Sequence, residues 1–126
     1  MKTIHTQKAP EAIGPYSQAI VANGMLFTSG QIPIDPATGA IAGTDIATQA
    51  DRVMRNLQAV LSQAGVGFDQ VVKTTCFLAD MNDFAAFNEV YAKYFVSRPA
   101  RSCVAVKTLP KNVLCEVEVI ATVEGV

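Results

Sequence analysis

Arg98-Pro99-Ala100-Arg101-Ser102-Cys103-Val104-Ala105-Val106 is the stretch on which the fold turns. A proline cannot continue a helix, and the residues after it alternate as a strand does. Arg101, Cys103 and Ala105 then share one face, and Ser102, Val104 and Val106 share the other. Upstream, from about Asp83, the residues Phe84, Phe87, Val90, Tyr91, Tyr94 and Phe95 recur at helical spacing. They predict a helix that stops before Pro99. Downstream, Leu109-Pro110-Lys111-Asn112 reads as a turn into a last strand, Leu114–Val123.

Further from this centre, Val71 to Leu78 is β-branched and apolar, a strand. Before it, Ile46, Ala50, Val53, Met54, Leu57, Val60, Leu61 and Ala64 form a wide apolar stripe at spacings of three and four. Thr44 or Asp45 can cap that helix and Gly65 can end it. Near the start, residues 2–6 read as a short strand. Gln18–Ala22 and Met25–Ser29 flank Asn23-Gly24, the strongest hairpin signal in the chain.

The order is β-β-β-α-β-α-β-β. It predicts an α+β fold, a mixed sheet with both helices packed on one face, in a single domain over residues 1–126. The opposite sheet face then needs its own cover. A closed oligomer with its sheets packed together, as in a small barrel, would supply it. Half of the residues are hydrophobic and 17% are charged, which points the same way.

Composition narrows the function. Net charge is −1, with no basic stripe, so nucleic acid is not an expected partner. No apolar run approaches the roughly 20 residues of a membrane helix, and the start, Met1-Lys2-Thr3-Ile4-His5, lacks the apolar stretch of a signal peptide. Cys76, Cys103 and Cys115 are odd in number and none forms a CxxC pair. They read as free thiols in a reducing cytoplasm. One histidine and no carboxylate cluster at ligand spacing argue against a metal. No phosphate loop, dinucleotide fingerprint or nucleophile elbow is present, so no cofactor is expected.

Arg101 is the first candidate for chemistry. A guanidinium opening an apolar strand is costly to bury unless an anion meets it. That anion is either a protein carboxylate, with Glu116 or Glu118 the natural partners, or an acidic ligand gripped by the planar fork. Glu116 and Glu118 share a face with Leu114 and Ile120 on the last strand. A glutamate half-buried there has a raised pKa and can accept a proton near neutrality. Asn88 reads by default as a surface amide. Gly14-Pro15-Tyr16-Ser17-Gln18-Ala19 and Thr28-Ser29-Gly30-Gln31-Ile32-Pro33 set hydroxyls beside glycines, and glycine lets backbone N–H groups approach a ligand.

Taken together, these two segments, Asp83-Phe84 with Asn88 and Tyr91, Pro99-Ala100-Arg101-Ser102-Cys103-Val104, Leu109-Pro110-Lys111 and Glu116-Val117-Glu118 resemble the RidA (YjgF-type) proteins, the reactive-intermediate deaminases. The resemblance runs nearly end to end. It implies a chorismate-mutase-like fold assembled as a homotrimer around a central barrel, with three clefts between subunits. It also implies substrates such as 2-aminoacrylate and 2-aminocrotonate, enamine or imine acids released by pyridoxal-phosphate enzymes. The products would be 2-keto acids and ammonia, formed without metal or cofactor. Carried over, Arg101 would hold the substrate carboxylate and Glu116 would position or deprotonate water. Tyr16, Ser29, the Gly30 backbone, Asn88 and Cys103 would line the cleft. The rival reading is a non-catalytic trimer that binds 2-keto acids or partners a metabolic enzyme. A third, RNA cleavage, is disfavoured by the charge balance. One departure stands out: the loop before Pro99 is short and carries Arg98 where an aromatic often stands, which bears on substrate range.

Overall fold

The computed structural model describes residues 1–123; the last three residues of the expected 1–126 domain lie outside the described residues. Eight elements follow the expected order: β1 (Lys2–Ile4), β2 (Ala19–Ala22), β3 (Met25–Thr28), α1 (Ile46–Gln63), β4 (Val71–Leu78), α2 (Phe84–Tyr94), β5 (Ala100–Ala105) and β6 (Cys115–Thr122). Three single-turn 3-10 helices lie between them, at Phe68–Gln70, Met81–Asp83 and Pro110–Asn112, the last within the expected turn.

The strands form one six-stranded sheet in the order β1-β2-β3-β6-β4-β5. All neighbours are antiparallel except β4 and β5, which run parallel. That parallel pair is joined by α2, as a parallel crossover requires. Asn23 and Gly24, both at positive φ, make the β2–β3 turn, so the hairpin signal meant what it said. In α1, Asp45 accepts from Thr48 N–H at 3.0 Å and caps the start, while Gly65 at φ +80° leaves the helix end.

Both helices pack on one face of the sheet. Val53, Met54, Leu57, Val60 and Leu61 of α1 and Phe87 of α2 are buried with Cys76 and Leu78 of β4 and Val117 and Val119 of β6. Tyr94 Oη also donates to Asp51 Oδ1 at 2.5 Å, tying α2 to α1. The other sheet face has no helix packed on it among the described residues. Phe27, Val72 and Val104 are exposed, although each lies in a strand or at its centre.

Candidate functional site

Arg101 leaves β5 toward the helices and meets α2. Phe84, Asn88 and Tyr91 fall at i, i+4 and i+7, one face of that helix, and all three touch the guanidinium. Arg101 Nη1 donates to Asn88 Oδ1 at 2.7 Å. The guanidinium carbon sits 4.7 Å from the Tyr91 ring centroid and 5.4 Å from that of Phe84. Stacking of this kind contributes about 0.5–2 kcal/mol per ring. Tyr91 is held in turn, because its hydroxyl and that of Thr74 lie 2.8 Å apart in the core. The fork is thus fixed on its flat faces and at one nitrogen.

This corrects two sequence expectations. Asn88 is not a solvated amide but the acceptor that orients Arg101. Glu116 and Glu118 are not partners of Arg101, because they lie on the other side of the sheet. Arg101 pairs with Thr74 of β4, whereas Glu116 pairs with Phe77 of the same strand. Residues 74 and 77 are three apart, an odd offset, and successive side chains on a strand alternate faces. Within one chain the cation and the carboxylate therefore point in opposite directions.

Cys103 shares the helix-facing side with Arg101 and pairs with Cys76. Burial raises the Cys103 thiol pKa and pushes that of Cys76 to about 12, so both are held as thiols. Cys76 and Cys115 are buried and all three cysteines are free.

Glu116 gathers the second group. Gln31 and Val117 form a bridge, with Gln31 N–H donating to Val117 C=O at 2.9 Å. The bridge lays Gly30 against Glu116. A Cβ on Gly30 would overlap the Glu116 carboxylate and stand 2.8 Å from its carboxyl carbon. Only glycine leaves that carboxylate its place. Glu116 is half-buried, and burial, followed by the like charge of Glu118, raises its pKa above the ordinary 4.5. Ser29, the residue before Gly30, donates its hydroxyl to Ser17 C=O at 2.6 Å. Tyr16 is largely exposed and lines a cleft of about 280 Å³ with Gly30, Gln31, Ile32 and Lys111.

The predicted residues thus fall into two candidate half-sites: Asn88, Arg101 and Cys103 beside α2, and Glu116 held against Gly30, with Ser29 next to Gly30 in the chain and Tyr16 in the cleft that Gly30 also lines. Sequence reasoning placed Phe84 and Tyr91 among core-packing residues and missed that they clamp Arg101. The signal was their shared helical face with Asn88. Among the described residues no group of three or more His, Cys, Asp or Glu side chains could hold a metal ion, and no helix is long and apolar enough to cross a membrane.

The family model described as Endoribonuclease L-PSP matches residues 6–123. The chain belongs to the RidA/YjgF family. A RutC family protein of Synechocystis is 56% identical over 96% of this chain and 95% of its own. A protein of Salmonella typhimurium named 2-iminobutanoate/2-iminopropanoate deaminase is 48% identical over 95% of this chain and 96% of its own. Among solved structures, E. coli TdcF with bound serine is 46% identical, covers 97% of this chain and 98% of its own, and superposes with a TM-score of 0.92. The expected RidA-type fold is therefore the fold observed, with relatives that span the whole chain.

Proposed function

We propose that this protein hydrolyses 2-imino acids, in equilibrium with their enamines, to 2-keto acids and ammonia, and does so between subunits of a homotrimer. The observation that carries the reading is the state of Arg101. Its fork is clamped by two rings and Asn88, yet no carboxylate of the described residues lies within 4.0 Å of it. An oriented guanidinium without an internal anion suits a carboxylate ligand. The Salmonella relative carries the name of a deaminase of such acids, and TdcF was solved with an amino acid bound.

The two half-sites need a second copy to meet. The exposed apolar sheet face gives a reason for one to bind there, because apolar surface removed from water stabilises association. Arg101 of one copy would then hold the substrate carboxylate opposite Glu116 of the next.

The chemistry follows from the groups present. The enamine takes a proton from solvent at C3 and becomes an iminium whose C2 is electrophilic. A water oxygen bonds to C2 while Glu116 takes a proton from it, giving a carbinolamine. Glu116 returns that proton to the nitrogen, the C2–N bond breaks, and ammonia leaves as the hydroxyl gives its own proton to the freed Glu116 carboxylate and becomes the ketone. Glu116 is suited to both transfers because its pKa stands above the ordinary carboxylate value. Single-stranded RNA instead calls for a basic groove with free aromatic platforms. The chain carries a net charge of −1, and the Phe84 and Tyr91 rings are taken up by Arg101.

Subunit mixing tests the reading. Arg101→Ala and Glu116→Gln should each lose deaminase activity with enamine generated in situ by a pyridoxal-phosphate dehydratase. Co-refolded at equal amounts, they should recover about a quarter of the wild-type rate, the share of interfaces that pair an intact arginine with an intact glutamate. No recovery from correctly assembled mixtures would refute the shared site. Wild-type rates in Glu116→Gln alone would remove Glu116 as the base.

A further inference from the structure

Arg98 stands in the same cleft as Arg101, and the mechanism above does not use it. The cleft, about 280 Å³ at the C-terminal end of α2, is lined by Asn88, Tyr91, Phe95, Arg98, Pro99 and Arg101. Its size suits a small metabolite. Tyr91, Phe95 and Pro99 are among its apolar residues, and its polar side chains are one amide and two guanidiniums besides the Tyr91 hydroxyl. Like Arg101, Arg98 has no carboxylate within 4.0 Å among the described residues; the ion pairs there are His5–Glu11 and Arg55–Asp51.

The backbone of Arg98 is strained. It has φ +58°, in the left-handed region, and its N–H donates to Phe95 C=O at 3.1 Å to close the turn after α2. A side chain with a Cβ is disfavoured there, and the following Pro99 pushes its predecessor toward extended backbone as well. Glycine would hold this turn at lower cost. An arginine at a helix C-terminus is favoured by the helix dipole without any such strain, so the dipole alone does not account for the conformation. Strain of this kind collects where a side chain must be presented to a ligand.

We propose that Arg98 and Arg101 form a two-cation subsite that favours 2-imino and 2-keto acids bearing a second carboxylate. Arg101 takes the C1 carboxylate, Arg98 takes the distal one, and the carbon chain spans the cleft between them. The inference rests on the reading of Arg101 as the ligand's carboxylate clamp.

Calorimetric titration with 2-oxoglutarate and with 2-oxobutanoate tests it, on the wild type, Arg98→Gly, Arg98→Gln and Arg101→Ala. The wild type should bind the diacid roughly fivefold more tightly than the monoacid, the upper range for one exposed ion pair. Both Arg98 variants should bring that ratio to about one, and Arg98→Gly should melt at a higher temperature because it relieves the left-handed strain. A structural arginine would instead lower the melting temperature and leave the ratio alone. Equal wild-type affinities, or a preference that survives in Arg98→Gly, overturn the proposal. If Arg101→Ala loses the monoacid while the wild type shows no diacid preference, only the two-cation subsite fails. Should Arg101→Ala bind both acids as the wild type does, the carboxylate clamp itself is wrong.

Discussion

Gly30→Ala would move the Glu116 carboxylate without altering its charge. The added methyl group would overlap Glu116 Oε2 and stand 2.8 Å from the carboxyl carbon and 3.0 Å from Cγ. Gly30 is not among the residues with positive φ, so alanine brings no backbone penalty there. What must give is the tip of a flexible side chain. Overpacking costs about 1–3 kcal/mol in cores, and a carboxylate only half-buried places this variant near the lower end. A loss of about 1 kcal/mol corresponds to roughly 4 °C in melting temperature for a chain of this length.

Catalysis should suffer far more than stability. A positioned general base contributes about 10²–10⁴-fold, and a misplacement near 1 Å can remove about 10² of that. Gly30→Ala should therefore lose at least about 10² in kcat, read as keto-acid release from enamine generated in situ. Its affinity for 2-oxobutanoate, which depends on Arg101, should stay near that of the wild type. The double variant Gly30→Ala with Glu116→Gln decides the cause. If the methyl group acts through the carboxylate, the double variant is no slower than Glu116→Gln alone, a coupling of about 2.7 kcal/mol for a 10²-fold effect. Wild-type turnover in Gly30→Ala, or losses that multiply in the double variant, would refute the reasoning.

Arg101→Lys keeps the charge but gives up the fork, the Asn88 bond and both ring contacts; 2-oxobutanoate affinity should fall at least about tenfold by calorimetry, and an undiminished affinity would mean that a point charge suffices. With Glu116 as the proposed ionised base, kcat/KM should fall as pH drops through its raised pKa, and Glu118→Gln, by removing the neighbouring like charge, should move that acid limb to lower pH. Because folding raises this pKa, the contribution of Glu116 to stability is present in full below 4.5 and is lost as pH rises through the folded value. Glu116→Gln should accordingly be more stable than the wild type to urea at neutral pH, with the difference closing in acid. Tyr94→Phe removes the 2.5 Å bond from α2 to Asp51 and should cost about 1 kcal/mol in urea unfolding, the site being partly open to water; no change would show that apolar packing alone holds the two helices together.

The elements were legible because each carries its own period. The stripe from Ile46 to Ala64 could only be a helix with one buried side, and Asn23-Gly24 could only turn a hairpin. Val71–Leu78 was read to the residue, since its β-branched run is bounded by a short 3-10 turn and a loop. Strand ends elsewhere differed by one or two residues, where pairing with a neighbour rather than composition sets the limit. The candidate site was legible as a set of residues but not as an arrangement. Alternation put Arg101 with Cys103, and Glu116 with Ile120, each on one side of its own strand. It could not say how the side of one strand matches that of another, because register is a property of the assembled sheet. The Asn88–Arg101 bond was hidden from local pattern for a related reason: the two residues are thirteen apart, on a helix and a strand that no short-range spacing connects.

That register has a consequence for what one chain can do. Moving Arg101 to the face of Glu116 would require shifting β5 by one residue against β4, which would also turn Cys103 away from the core and bring Ser102 and Val104 in. Side-chain rotation cannot achieve it, because β4 stands between the two groups in the sheet order. A chain that kept both on one face would satisfy its own arginine with its own glutamate, and the closed ion pair would leave little for a ligand. Opposite faces keep the cation free of that partner. They also leave the carboxylate beside the exposed apolar face, where an adjoining subunit would bury it further and hold its pKa up.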